Sequence, residues 1–227
     1  MANSLVRPVQ GRPAQWGVEA DMNRGTETVE QQIRDAATGG NHQSAAALAF
    51  EAFGAEILSF LSARLRSQSS GEEVLSMFAE DLWAGITRFE FRCSVRGWLY
   101  VLARNAANRY AVSPPNRAAR HVALSSEGVA SALIERERTA TQSHLRTDVK
   151  DSVRALRESL DVEDQTLLIL HIDRGLPWRE LAMVMHQDGE SLDDQQLSRE
   201  AARLRKRFER VKAELRELAV KTGLVES

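Results

Sequence analysis

Apolar residues recur at threes and fours along two blocks of this chain, and the period is lost before and between them. From Ser44 to Leu65, one stripe carries Leu48, Ala52, Ala55, Leu58 and Leu61 to Leu65, with Phe50, Phe53, Ile57 and Phe60 alongside. That pattern predicts an amphipathic helix with a wide apolar face. Ser67 to Gly71 interrupts it. Ser70 with Glu73 reads as a capping box that opens a second helix along Val74, Met77, Phe78, Leu82 and Ile86. A third helix is expected from Val95 to Tyr110, with Ser94 as N-cap and Trp98, Leu99, Leu102 and Ala106 facing inward. Ser113-Pro114-Pro115-Asn116 ends the block, since neither proline can donate within a helix.

The second block opens with Val149, Val153, Leu156 and Leu160 on one helix. Asp161 can cap the next, which carries Leu167, Leu168, Leu170 and Ile172 and stops at Gly175. Pro177 suits the first position of a short helix from Trp178 to Met185. The last helix spaces Leu197, Ala201, Leu204, Phe208, Val211, Leu215 and Leu218 alternately four and three apart. No strand pattern competes, so the expected fold is all-α. It consists of two small helical domains, residues 41–112 and 148–222, joined by a flexible linker over 113–147 with one short helix near Ser131 to Thr141. Residues 1–40 are rich in Gly, Pro, Gln and Thr without a sustained period and read as a mostly disordered tail, in which Met22 offers an alternative start.

Composition changes this picture only in places. Hydrophobic content of 43% and charged content of 27% are those of an ordinary globular protein. No apolar run is expected to span a membrane, and no apolar core follows Arg7 and Arg12 to make a signal peptide. The single Cys93 excludes an internal disulfide and suits a reducing cytoplasm. A net charge of -2 gives no hint of nucleic acid, but the distribution of charge does. Between Leu197 and Glu217, Arg199, Arg203, Arg205, Lys206, Arg207, Arg210, Lys212 and Arg216 face only four acids. Such a segment is an electrostatic footprint for phosphate, or else a solvated face laced with ion pairs. Its apolar seam equally suits a coiled-coil dimer.

Two constellations carry chemistry. Helix, turn, short helix and basic helix outline a helix-turn-helix reader, whose guanidinium groups address phosphates and base edges. Arg199, Arg203, Lys206 and Arg210 lie on one stripe of that reader, with Arg205, Lys212 and Arg216 flanking it. Earlier in the chain, Phe89 to Tyr110 places tryptophan, arginine, asparagine and tyrosine on a helix behind a short loop bearing Arg92. Capture of an unpaired base needs a pocket beside such a helix, because bases stack and phosphates need neutralising. Trp98 by itself is equally a packing residue.

Here the chain resembles the extracytoplasmic-function (ECF) sigma factors of bacterial RNA polymerase. Leu204 to Leu215 is similar to their recognition helix, with Arg205, Arg207, Phe208, Arg210, Lys212 and Leu215 on matching positions, and Asp164 to Ala182 resembles the helices leading into it. Trp98, Leu99, Ala103 and Asn105, with Arg104 between them, match the family's Trp-Leu and Ala-Arg-Asn signature, and Phe89 to Ser94 occupies the place of its base-capturing loop. The resemblance implies a domain over 41–112 that docks on the polymerase clamp helices through Glu73, Phe78, Leu82 and Trp83. This domain would contact the minus-ten element through Arg92, Arg96, Arg104, Asn105 and Arg109. It also implies a domain over 148–222 that meets the polymerase flap and reads the minus-thirty-five element through Arg199, Arg203, Arg205, Lys206, Arg207 and Arg210. The chain departs from the family at His186 to Gln196, an insertion of about ten residues that is either a loop or a backward extension of the reader helix.

The implied partners are core RNA polymerase, promoter DNA and an anti-sigma factor, with no membrane, no small-molecule substrate and no cofactor. Catalysis would belong to the polymerase. No glycine-rich phosphate loop or metal-ligand spacing is present, and the five histidines are dispersed. The rival readings are a helix-turn-helix regulator acting without the polymerase core, and a helical adaptor that dimerises through the Leu197 to Leu218 seam.

Overall fold

The computed structural model describes residues 15–112, 147–186 and 192–224, and all regular structure among them is helical. Two helical clusters result, at about 27–112 and 152–221. The expected linker helix near Ser131 to Thr141 and the middle of the insertion, 187–191, lie outside the described residues.

The first cluster contains α1 (Gln15–Thr38), α2 (His42–Leu65), α3 (Gln68–Gly85), a 3-10 turn (Ile86–Arg88) and α4 (Val95–Val112). The apolar pattern of α2 is explained by its place at the centre, with α1, α3 and α4 packed around it. Its residues Ala45, Ala46, Ala49, Phe53, Ile57, Leu58, Phe60 and Leu61 are buried. Contrary to the expectation from the sequence, α2 is long and apolar enough to cross a membrane by length and composition, though half of its apolar window is buried inside the protein. It ends at Arg66, which takes the left-handed conformation at φ 52° and donates its amide back to the last turn.

Two local expectations shift by a few residues. Ser67, not Ser70, caps α3, its hydroxyl accepting from the Ser70 amide at 3.2 Å. Gly71 then lies so close to α2 that a Cβ there would sit 2.9 Å from the Ser62 backbone, so the crossing requires glycine. The larger difference is α1, which forms where a disordered tail was expected. Val29, Ile33, Ala36 and Ala37 supply only two turns of seam, too little to read as a period, yet Ile33 is fully buried against the core.

The second cluster contains α5 (Thr147–Glu158), α6 (Val162–Leu168) running into a π turn (Ile169–Asp173), α7 (Trp178–Met185) and α8 (Asp194–Lys221). Asp161 caps α6 by accepting from the Glu163 and Asp164 amides, and Gly175 follows the π turn at φ +65°. Leu197, Ala201, Leu204, Phe208 and Val211 form the buried seam of α8. Asp193 and Gln196 make a reciprocal capping box that starts this helix inside the insertion. The last helix therefore reaches back only to Asp194, His186, Leu192 and Asp193 being non-helical, and Arg199 and Arg203 stand on it. The two clusters are in contact: α7 packs on α4, and α6 on α2.

Candidate nucleic-acid interface

Between α3 and α4, Gly85, Arg88, Phe89, Glu90, Arg92, Trp98 and Leu102 line an open, largely apolar pocket of about 350 Å³. Its aromatic wall is built by stacking. The Phe89 and Trp98 rings lie 4.3 Å apart and 11° from parallel, and Phe91 tilts against Phe89 at 4.6 Å. Gly85 lets the indole approach, since a Cβ there would be 3.1 Å from Trp98 Cζ2. Phe91 holds the loop with a left-handed backbone, φ 54°, and Arg34 of α1 covers its ring at 4.9 Å. Trp98 is half-buried, so it is both a packing residue and a pocket wall. Arg92 is exposed beside it and paired with Glu90 at 2.6 Å. Arg88, which stands outside every motif of the chain, is an exposed cation of the same rim.

The remaining candidates on α4 separate. Arg109 is exposed at the helix end and pairs with Asp81 of α3. Asn105 is half-buried. Arg104, expected at least partly exposed and on DNA, is 1% exposed. Its guanidinium donates to Glu163 Oε2 at 2.7 Å and to the His186 carbonyl at 3.4 Å, both in the second cluster. Arg64, from the last turn of α2, donates to the other Glu163 oxygen at 2.9 Å, to Asn108 at 2.8 Å and to the Thr166 hydroxyl. Burial alone would push the Glu163 carboxyl up; the two guanidinium groups overcome it and hold that carboxyl below its ordinary range. Arg96 is likewise occupied. It pairs with Glu56 of α2, which also accepts from the Tyr100 hydroxyl at 2.6 Å, and it donates to the Arg174 carbonyl at 2.7 Å.

Carboxylates also gather at the start of α4. Ser94 caps it as expected, accepting from the Gly97 amide at 2.9 Å, while Glu30 of α1 accepts from the Val95 and Arg96 amides at 3.1 and 3.0 Å. Glu180 of α7 reaches the same place. Burial pushes its carboxyl up, Ser94 opposes that, and Glu30 adds repulsion. Beside them, burial first and these two acids second push the Cys93 thiol up to about 11, which leaves it unreactive near neutral pH.

Of the docking candidates on α3, Phe78 and Leu82 belong to the core, at 1% and 0% exposure, and cannot meet a partner. Glu73 is half-buried and accepts from the Tyr110 hydroxyl at 3.1 Å. Trp83 is the exposed one, at 45%. Helical spacing placed Phe78 and Leu82 on the seam from the outset, and α2 claims that seam.

Along α8 the bases point outward. Arg199, Arg203, Arg205, Lys206 and Arg210 are all exposed. Arg203 pairs with its neighbour Glu200, and Arg205 stacks over Trp178 with 5.7 Å to the ring centroid. Arg207 differs. It is tied to Asp164 and more loosely to Asp161, so it fastens α8 to the start of α6 and does not present itself to a ligand. Beneath these bases, His171 lies between Trp178 and Phe208, with ring centroids 4.0 and 5.0 Å away, and its Nδ1 meets the Leu176 carbonyl at 3.1 Å. The π turn that carries His171 was not legible as a period. Among the described residues no cluster of His, Cys, Asp or Glu could hold a metal ion. No protein-family model matches the chain, and no curated protein matches it.

Proposed function

We propose that the chain is a sigma factor of the ECF type, with a domain over 41–112 and a second over 148–222. In this reading it binds core RNA polymerase, directs it to a promoter class and helps to open the DNA, within the cytoplasm, without a cofactor and without catalysis of its own. The observation that carries the reading is the aromatic-walled pocket beside α4, with Arg88 and Arg92 on its rim. A flipped base gains stacking on Phe89 and Trp98 that the paired base does not, so capture favours the melted strand over the duplex. The outward bases of α8, on a helix of 28 residues anchored by its apolar seam, supply what an upstream duplex contact needs. Trp83, with Glu73 in part, offers the surface for polymerase docking.

One observation favours a second reading. Arg104 of α4 is engaged by the second cluster and Arg96 mainly by Glu56 of its own, while α8 carries exposed bases on its outer face, an arrangement that also suits a duplex reader acting without polymerase. Run-off transcription on sheared genomic DNA with sigma-free core polymerase separates the two. New discrete start sites that share an upstream and a minus-ten pattern support the sigma reading. Tight binding to a duplex site with no new transcripts supports the regulator.

A further inference from the structure

The aromatic wall of the pocket stands on a loop that does not hold itself. Residues 89–94 form neither helix nor strand, and Phe91 keeps a left-handed backbone that a bulky side chain rarely adopts unaided. One face of α1 grips this stretch at two points. Glu30 and Arg34 stand one turn apart on that helix and so share a face. Glu30 accepts from the Val95 and Arg96 amides through separate oxygens, at 3.1 and 3.0 Å. With Ser94 accepting from Gly97, three of the four amides that a helix leaves unpaired at its start are satisfied on α4. Arg34 covers the Phe91 ring at 4.9 Å. Phe91 tilts on Phe89 and Phe89 stacks on Trp98, so the grip reaches the pocket through three rings in contact. α1 is itself fixed by Ile33, which lies between the two in sequence and is fully buried.

We propose that Glu30 and Arg34 of α1 are the positioning residues of the pocket: Glu30 fixes where α4 begins, Arg34 fixes Phe91, and together they keep Phe89 stacked on Trp98 for capture of an unpaired base. This rests on reading the pocket as a base-capturing site and adds the residues that shape it. Neither side chain lines the pocket, so neither touches the captured base. Without the grip, Phe91 relaxes towards the extended region and Phe89 leaves the indole. The capturing form is then only a fraction of the population. Affinity for a base falls by that fraction, whereas attraction between the rim arginines and the phosphates does not.

The test uses full-length chains. Arg34→Gln removes the cation, Arg34→Lys keeps one over the ring, and Glu30→Gln leaves one acceptor for two amides. Arg34 is exposed, and losing the Glu30 charge relieves repulsion with Glu180, so these chains are expected to stay folded. In the free chain, the Trp98 indole resonances, assigned by their loss in Trp98→Phe, read the stacking through the ring current of Phe89. With core polymerase present, anisotropy with a randomised single strand and with an abasic strand of equal length reads base capture. In Arg34→Gln the preference for bases over the abasic strand is expected to fall roughly threefold, the weight of one exposed cation–π contact. Glu30→Gln is expected to lose more, and Arg34→Lys to stay near the unaltered chain. In Arg34→Gln and Glu30→Gln the Trp98 resonances should move towards those of Phe89→Ala, with abasic affinity unchanged. Unmoved resonances and an unchanged preference overturn the positioning role and leave the sigma reading standing. Equal loss on both strands overturns it too, since Arg34 would then be a phosphate contact. No preference for bases in the unaltered chain overturns the sigma reading, and positioning for capture with it.

Discussion

Helices α4 and α8 both carry arginines at helical spacing, yet Arg96 and Arg104 of α4 are drawn into the fold, with Arg109 exposed, while most of the α8 bases face outward. On α4, Arg104 is buried and Arg96 half-buried, each held by a carboxylate and a carbonyl brought from elsewhere in the chain. On α8, Arg199, Arg203, Arg205, Lys206 and Arg210 stand in solvent with at most a neighbouring acid or ring. The difference does not lie in the residues but in what the fold sets opposite them. A basic stripe is a statement about charge; whether that charge is available depends on contacts distant in sequence. Arg207 makes the same point within α8 itself, since one residue of the basic run is turned inward by Asp164.

The contrast can be broken by substitution, beginning with the largest effect. Arg104→Ala leaves Glu163 with one partner and opens a buried space, at a cost of about 3 kcal/mol. Tm is expected to fall by about 6–12 °C, and an unchanged melting curve would contradict the burial of Arg104. Next, the joint change of Arg205, Lys206 and Arg210 to alanine is expected to leave Tm nearly unmoved. It should reduce the slope of log affinity against log salt for duplex DNA by about three. An unchanged slope would remove these residues from the interface. Arg207→Ala reverses that pattern: stability is expected to drop by about 1–2 kcal/mol, while the salt slope hardly changes.

The smallest expected effect concerns Glu180. Its carboxyl is pushed up by burial, and Glu30, Arg96 and Ser94 are its neighbours, with the Cys93 thiol close by. A carboxyl raised on folding contributes stability that is present below its unfolded range and lost as pH rises through the folded value. Glu180→Gln is therefore expected to raise Tm at neutral pH by about 1–3 °C, with the gain shrinking as pH falls towards the carboxylate range. Glu163 has the opposite sign: its contribution is present above the ordinary carboxylate range and lost as pH falls below it.

Much of the architecture was legible because apolar spacing encodes it directly. The seams of α3 and α8 lie where the periodicity puts them. By contrast, α2 buries Ala45, Ala49, Phe53, Ile57 and Leu61 and leaves Ala52 of the expected stripe exposed, and α4 buries Leu99 and Ala106 but turns Trp98 and Leu102 to the pocket. Ser94, Asp161 and Gly175 act as the local helix signals expected of them. The same spacing puts Phe78 and Leu82 on a seam, and a seam is buried, so these two side chains are not offered for docking. α1 escaped notice because two turns of apolar contact among polar residues look like a tail until α2 supplies the other half. The π turn at Ile169–Asp173 escaped because it breaks the period that would reveal it. Glu163 escaped because an acid in the first turn after an Asp cap reads as dipole compensation, and its partners Arg64 and Arg104 are 99 and 59 residues away. The aromatic loop around Phe89 was legible as chemistry but not as a pocket, since its shape depends on Gly85 and on the backbone at Phe91.

The central claim is that this chain, together with polymerase, holds DNA open, and permanganate reactivity of unpaired thymines reads that state directly. Genomic fragments would be incubated with core polymerase alone, with this chain alone, and with both. The expected result is a short reactive patch at a fixed distance downstream of a shared upstream sequence, present only with both proteins and weakened when Phe89 and Trp98 are replaced by alanine. Fragments that stay unreactive with both, while the same core opens DNA with another sigma factor, would contradict the account.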